Sequence, residues 1–287
     1  MSVLHDHALT IVFLSFIGLL KLVFCSNSIH YIHHYCSLEV NKTQNAAFQD
    51  NVDRLLSDLS SKSYGNRFYN STSGDNDKKV YGLFLCRGDV SPGVCRDCID
   101  SSTKNLKQNC THNKESIVWY EECMLRYSNH SIFATEEEMP WRYWCSVNKV
   151  SNSDQFNQSL STLMNGLVDK AAFGKTTPPF FATGYDKKGG DGGISIYCLM
   201  QCTPDINGSE CQRCLKAAVG GYQEICEGRT WSMIFSPSCQ VRYGSDPFYG
   251  EGKPIKSGGG RGKNNSYVAV AAVLCMVLSG LLVNLRA

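Results

Sequence analysis

Two stretches of the chain decide its fold: Cys86–Tyr127, CRGDVSPGVCRDCIDSSTKNLKQNCTHNKESIVWYEECMLRY, and Cys202–Tyr243, CTPDINGSECQRCLKAAVGGYQEICEGRTWSMIFSPSCQVRY. In the first, Cys86, Cys95, Cys98, Cys110 and Cys123 are separated by 8, 2, 11 and 12 residues; in the second, Cys202, Cys211, Cys214, Cys226 and Cys239 are separated by the same 8, 2, 11 and 12. Unrelated segments do not share four gaps. The likeness extends beyond the cysteines, because Tyr81-Gly82-Leu83 answers Tyr197-Cys198-Leu199 and Leu125-Arg126-Tyr127 answers Val241-Arg242-Tyr243. The chain carries a tandem duplication, and its fold is that of one unit used twice.

Working outward, each block is preceded by the same apolar pattern. Phe48, Val52, Leu55, Leu56 and Leu59 fall at i, i+4, i+7, i+8 and i+11, as do Phe156, Leu160, Leu163, Met164 and Leu167, which places one stripe on a 3.6-residue period. Each unit therefore opens with an amphipathic helix packed by that stripe. Val80 to Leu85 and Ser195 to Gln201 are short and rich in Tyr, Val, Ile and Phe, as strands are. The 11 residues after each C-x-x-C (Ile99 to Asn109, Leu215 to Ile225) suit a second helix, and Ser116 to Ser128 and Thr230 to Tyr243 suit strands carrying the last cysteine. The predicted class is α+β: two tandem disulfide-stapled modules, each an antiparallel sheet with two helices. The expected boundaries are residues 27–133 for the first module, 134–140 for a linker and 141–249 for the second.

Composition and the two ends supply the compartment. The 287 residues are 43% hydrophobic and 19% charged, with a formal charge of +2, which excludes a disordered chain and shows no nucleic-acid footprint. Fifteen cysteines argue for an oxidising compartment. Ala8 to Phe24 is an apolar run broken only by Lys21 and followed by Cys25-Ser26, so residues 1–26 read as a signal peptide. Residues 250–266 read as a Gly- and Lys-rich stalk, and residues 267–287 as an apolar tail. The run Val268 to Val283 would rise only about 24 Å as a helix, against about 30 Å of hydrocarbon. Lys253, Lys256, Arg261 and Lys263 precede it and only Arg286 follows, against the positive-inside bias. A glycolipid-anchor signal with attachment at Ser257 is the preferred reading, and a spanning helix is the alternative.

The C-x8-C-x2-C block, with an apolar helix before it and Arg-Tyr after the last cysteine, resembles the plant ginkbilobin-type (stress-antifungal) domain. The second repeat is the closer match, in YCLMQCTPD (Tyr197 to Asp205), CQRCL (Cys211 to Leu215) and PSCQVRYGSDPFY (Pro237 to Tyr249). Two such domains behind a signal peptide are similar to cysteine-rich repeat secretory proteins, to the ectodomains of cysteine-rich receptor-like kinases and to plasmodesmata-located proteins. The resemblance implies a disulfide connectivity: Cys36 with Cys110, Cys86 with Cys95 and Cys98 with Cys123, then Cys202 with Cys211 and Cys214 with Cys239. The partner of Cys226 stays open between Cys145 and Cys198. Cys25 and Cys275 lie in the terminal runs, so thirteen cysteines remain and one thiol is left over, either buried and free or bridging to a second chain. The family's mannose-binding positions fall on Ser37, Ile117 and Ser128 in the first repeat and on Ser146, Met233 and Gly244 in the second. Without the Arg and Glu of that pattern, mannose binding at these positions is not expected.

Other features are bland by comparison. Sequons at Asn41, Asn70, Asn129, Asn157 and Asn207 are glycosylation candidates. His30, His33 and His34 are read as a solvated N-terminal segment rather than a metal site, and Glu136-Glu137-Glu138 as a solvated inter-domain linker. No catalytic constellation recurs in both repeats, so no enzyme, metal or cofactor is expected. The resemblance thus implies a non-catalytic, membrane-tethered extracellular binding module in defence, stress or cell-to-cell signalling, at the plasma membrane, with plasmodesmata as a candidate address. Its candidate partners are the membrane through the C-terminal anchor, a cell-wall glycan and another ginkbilobin-type ectodomain; nucleic acid is excluded. A thiol redox sensor and a carbohydrate-binding antifungal protein are the alternatives.

Overall fold

The computed structural model describes residues 29–38, 46–110, 112–187 and 194–250. The first repeat runs β1 (Tyr31–Cys36), α1 (Ala46–Lys62), β2 (Phe68–Ser73), a 3-10 turn (Asn76–Lys78), β3 (Val80–Cys86), α2 (Pro92–Asn109), β4 (Glu115–Tyr120) and β5 (Cys123–Ser128). The second runs β6 (Arg142–Cys145), α3 (Ser153–Phe173), β7 (Phe181–Asp186), β8 (Ile196–Cys202), α4 (Gly208–Ile225), β9 (Trp231–Phe235) and β10 (Cys239–Gly244). The sheets have the orders β1-β4-β5-β3-β2 and β6-β9-β10-β8-β7, with every pairing antiparallel, so the duplication extends to topology.

The first helix of each repeat forms where the stripe predicts. In α1 the stripe residues Phe48, Val52, Leu55, Leu56 and Leu59 are all buried; in α3 Phe156, Leu160, Met164 and Leu167 are buried, and Leu163 packs partly buried against the same core. The second helices start earlier than the sequence pattern suggests, because their caps lie upstream of the C-x-x-C. Ser91 accepts from the Val94 amide ahead of Pro92, and Asn207 and Glu210 form a reciprocal capping box. Both C-x-x-C motifs are therefore helical, with their cysteines on the face turned to the sheet.

Alternation along the strands divides the sheets into two faces. In β3, Val80, Phe84 and Cys86 face the helices and join Leu56, Ile99, Leu106, Val118, Leu125 and Tyr127 in the first core. Ile196, Cys198, Met200, Ile234, Val241 and Tyr243 do the same in the second. The opposite faces meet each other. Leu83, Leu85, Ile117, Trp119 and Met124 of the first repeat cluster with Met233 and Phe235 of the second and with Ile132 of the connection between the repeats. Burial of such side chains is worth about 1.5–3 kcal/mol each, so this joint contributes on the order of 10 kcal/mol before ordering entropy. That is enough to hold the repeats as one body.

The structure adds four strands to those read from sequence and corrects two expectations. Each sheet has five strands, and the edge strands β1, β2, β6 and β7 escape the sequence pattern because YIHHYC, FYNSTS, RYWC and FATGYD are half-exposed and do not alternate cleanly. His33 and His34 belong to β1 rather than to a solvated tail, and His30 precedes it with Nδ1 2.8 Å from Glu122 Oε1. The acidic triplet is not simply solvated either. Glu137 pairs with the buried Arg126 at 2.5 Å, and Glu136 pairs with Arg213 of α4 at 2.6 Å. The connection is laced further by the Glu137 amide donating to Ser238 Oγ (2.8 Å) and the Ala134 amide to Asp205 Oδ2 (3.0 Å).

Candidate functional site

The cysteines form six bridges. Cys36–Cys110, Cys86–Cys95 and Cys98–Cys123 close the first repeat; Cys145–Cys226, Cys202–Cys211 and Cys214–Cys239 close the second. Cys86 and Cys123 are register partners on β3 and β5, and Cys202 and Cys239 are partners on β8 and β10. The two cysteines of each C-x-x-C thus tie one helix to two neighbouring strands, and neither pairs within its own motif. The remaining bridge ties the end of an edge strand to the C-cap of the second helix, with Cα atoms 5.4 Å apart at Cys36–Cys110 and 5.7 Å apart at Cys145–Cys226. Of the two thiols left ambiguous by sequence, Cys145 takes Cys226 and Cys198 is free.

Cys198 is fully buried, in the core between α3 and the sheet. Burial pushes its thiol far above the usual range, so the nucleophilic thiolate is suppressed. This removes the physical basis of the redox-sensor alternative, which needs an accessible, acidified thiol.

The inherited sugar positions are engaged internally. Ile117 and Met233 lie in the joint and are 1% and 7% exposed. Ser128 is buried with its hydroxyl 2.8 Å from His130 Nδ1, while Ser146 Oγ accepts from the Asn148 amide (3.0 Å) and from Thr230 (2.8 Å). Ser37 Oγ accepts from the Glu115 amide at 3.2 Å, and Gly244 lies against the Phe248 ring. Two of the six positions that the resemblance implies for a sugar, Ile117 and Met233, thus lie on the face that joins the repeats. Around its apolar centre runs a polar seam. Gln201 accepts from the Gly88 amide (3.2 Å) and donates to the Cys86 carbonyl (3.1 Å), and Trp119 Nε1 donates to the Ser236 carbonyl (3.4 Å). Arg242 reaches Glu121 at 2.7 Å with its guanidinium 4.2 Å from the Phe248 ring centre; burial holds its pKa below the ordinary arginine value, opposed by Glu121. Arg87 grips Asp89 and donates to the Phe248 carbonyl, so the end of the second repeat is fastened to the first. His30, Glu121 and Glu122 come close enough to suggest a cation site, yet Glu121 is already held by Arg242 and Glu122 by His30.

Among the sequons, Asn129 and Asn207 are exposed and Asn70 is half-buried on β2. Asn157 is differently placed: its Nδ2 donates to Glu227 (3.2 Å) and its Oδ1 accepts from Tyr222 (3.2 Å) and the Gly228 amide (3.3 Å), so a glycan there would displace a helix–loop contact. Asn41, the residue 1–26 signal segment, the stalk, the Ser257 attachment point and the apolar tail lie outside the described residues. Among the described residues no helix is long and apolar enough to cross a membrane.

Comparison with known proteins agrees with this architecture. Residues 35–130 and 144–246 match the family described as Salt stress response/antifungal. The chain is 34% identical over 217 residues to the Antimicrobial ginkbilobin-2-like protein of Castanea crenata, covering 76% of this chain and 88% of that protein. It is 35% identical over 227 residues to Cysteine-rich receptor-like protein kinase 25 of Arabidopsis thaliana (77% of this chain) and 34% identical over 221 residues to Cysteine-rich repeat secretory protein 1 of the same plant (74% of this chain). It spans only 33% of that kinase and 62% of that secretory protein. In fold it is similar to the tandem DUF26 ectodomain of the Arabidopsis thaliana cysteine-rich receptor-like protein PDLP8, with a TM-score of 0.66 at 23% identity over 77% of this chain and 100% of that one. The chain belongs to the salt stress response/antifungal family and carries two tandem copies of its domain.

Proposed function

We propose that the chain is a non-catalytic binding module held on the extracellular face of the plasma membrane by a C-terminal lipid anchor, acting as a cell-surface adaptor or receptor-like protein in defence, stress or cell-to-cell signalling. The observation that carries this reading is the joint. Two complete, separately stapled domains share one buried seam, and such a body presents fixed surfaces to a partner rather than a mobile catalytic cleft. The framework of six bridges supports an oxidising compartment, and relatives named as secretory proteins and receptor-like kinases support the cell surface. The mannose positions implied by the resemblance do not supply the chemistry of the partner, since Ile117 and Met233 lie in the seam and Ser37, Ser128 and Ser146 are engaged by local hydrogen bonds.

The test is made on intact plant cells expressing the full chain with a tag after residue 26. The tag is expected to be reached by antibody without permeabilisation, and phosphatidylinositol-specific phospholipase C is expected to release the protein. A tag accessible only after permeabilisation overturns the extracellular reading. Failure of release, with a Val268–Ala287 peptide recovered from the membrane, overturns the anchor in favour of a spanning helix.

A further inference from the structure

The duplication provides an internal control for every surface of the molecule, and one place differs in a way that packing does not explain. In the first repeat, Tyr120 at the end of β4 fills the space between the sheet and α2: it is 7% exposed, its hydroxyl donates to the Ser101 carbonyl at 3.4 Å, and its ring stands edge-on to Tyr31. By the cysteine register, the second repeat has Ser236 where the first has Tyr120, and Gly220-Gly221 where the first has Lys104-Asn105. The plug is absent, and a groove of about 300 Å³ opens between α4 and the chain entering β6.

The lining of that groove is specific. Ser236 forms part of its floor, Gly220 and Gly221 one wall and Trp141 the other, with Glu138 and Glu224 among the lining residues. Adjacent glycines are poor residues for a helix interior, and neither is required here by its neighbours. A Cβ on Gly220 would meet nothing within 4 Å, and one on Gly221 would only touch the Trp141 ring at 3.8 Å. Gly220 leaves the helix wall bare, while at Gly221 the edge of the indole lies close to the backbone. Glu138 and Glu224 are exposed and take part in no ion pair among the described residues; the nearby Arg213 is held by Glu136, with Glu138 adding a weaker electrostatic pull. Among the described residues no Lys, Arg or His lines the groove.

We propose that this groove is a binding site for an arginine side chain presented by a basic peptide or protein partner. The charge of the rim selects a cation, the aromatic ring of Trp141 beside it favours a flat, delocalised one, and the bare helix wall at Gly220 admits its methylene stem; a guanidinium satisfies all three. A neutral sugar fits less well, because Ser236 Oγ is already engaged with the amide and carbonyl of Cys239, leaving the lining rich in acceptors and poor in donors. The site rests on the reading of the chain as a binding module and gives that reading a partner chemistry.

The test is fluorescence polarisation with the full chain purified in detergent and a fluorescein-labelled Gly-Arg-Gly-Arg-Gly peptide, with the matched glutamate peptide and methyl mannoside as comparison arms. Saturable binding of the arginine peptide alone is expected. Ser236→Tyr, which restores the plug of the first repeat, and the double variant Glu138→Gln/Glu224→Gln, which alters only exposed groups, are each expected to weaken it by at least about tenfold. No saturable binding, equal affinity in both variants, or competition by methyl mannoside overturns the site. Those results leave the cell-surface reading standing, since that is decided by tag accessibility and phospholipase release.

Discussion

Where the first repeat has Gly82 on β3, closed over by Leu55 and Leu59, the second has Cys198 on β8, and the difference in volume is returned on the neighbouring strand. Gly82 pairs across strands with Ser71, whereas Cys198 pairs with Gly184. A Cβ at Gly82 would come within 2.8 Å of Leu55 and 3.0 Å of Leu59; at Gly184 it would come within 3.1 Å of Leu167 and 3.2 Å of Leu163. Each helix thus presses its leucines onto a strand pair that contributes one glycine and one small side chain, in opposite order. The unpaired cysteine among the described residues is a packing residue. The comparison also shows what the repeats do not exchange: Arg126 and Arg242 are equivalent by register, and both are ion-paired on the sheet faces turned away from the helices, Arg126 with Glu137 of the connection and Arg242 with Glu121 of the other repeat.

The strongest way to break the equivalence of the repeats is to remove matching bridges. Chain-entropy arguments give about 4.5 kcal/mol for a loop of about 75 residues and about 2.6 kcal/mol for one of about 10. Cys36→Ala/Cys110→Ala should therefore destabilise more than Cys86→Ala/Cys95→Ala, and Cys145→Ala/Cys226→Ala more than Cys202→Ala/Cys211→Ala, in denaturant unfolding of the full chain. An order that differs between the repeats would show that they are not stapled alike.

A smaller effect sharpens the packing comparison. Gly82→Cys, which copies the second repeat onto the first, should lose about 1–3 kcal/mol through overpacking against Leu55 and the Arg126 carbonyl, and adding Ser71→Gly should restore part of it. No recovery in the double variant would refute the volume exchange. Cys198→Ala should cost about 1 kcal/mol. In the unmodified chain Cys198 should take up iodoacetamide only after denaturation, as read by peptide mapping; rapid alkylation of the native protein would return the redox reading.

The smallest effect concerns the buried tyrosines. Tyr127 accepts from Ser116 and donates to the Cys110 and Asn113 carbonyls, and burial pushes its pKa up to about 12. A folded value above the unfolded value of about 10 means that this contribution is fully present below pH 10 and is lost as pH rises towards 12. Tyr127→Phe should cost about 1 kcal/mol at neutral pH and flatten the decline in stability above pH 10. An unchanged alkaline slope would place the titration elsewhere.

Much of this structure was legible in advance because cysteine spacing and helical stripes report local geometry. The four repeated gaps fix the unit, and the stripe from Phe48 to Leu59 fixes the first helix. The edge strands were not legible, since residues such as His33, Asn70 and Thr183 lie at half-exposed positions where burial imposes little pattern. The joint is signalled only by β3, where Val80, Leu83, Phe84 and Leu85 are apolar on both faces of one strand, which a sheet with one wet face does not require. The groove beside α4 leaves only the Gly220-Gly221 pair as a trace in sequence, and it acquires meaning when Tyr120 and Ser236 are set side by side.

The central claim is that the sheet faces carrying Ile117 and Met233 form the seam between the repeats, and Met233→Arg tests it most directly. Met233 is 7% exposed and stands opposite Arg242 across β9 and β10, so an arginine there would bury a charge beside a like charge. A buried, uncompensated charge costs about 3–5 kcal/mol, which for a body of this size lowers the melting temperature by roughly 10 °C. Thermal unfolding of the full-length variant should show that loss. A melting temperature within about 1 °C of the unmodified chain would mean that Met233 faces water and that the seam is not where the two repeats are joined.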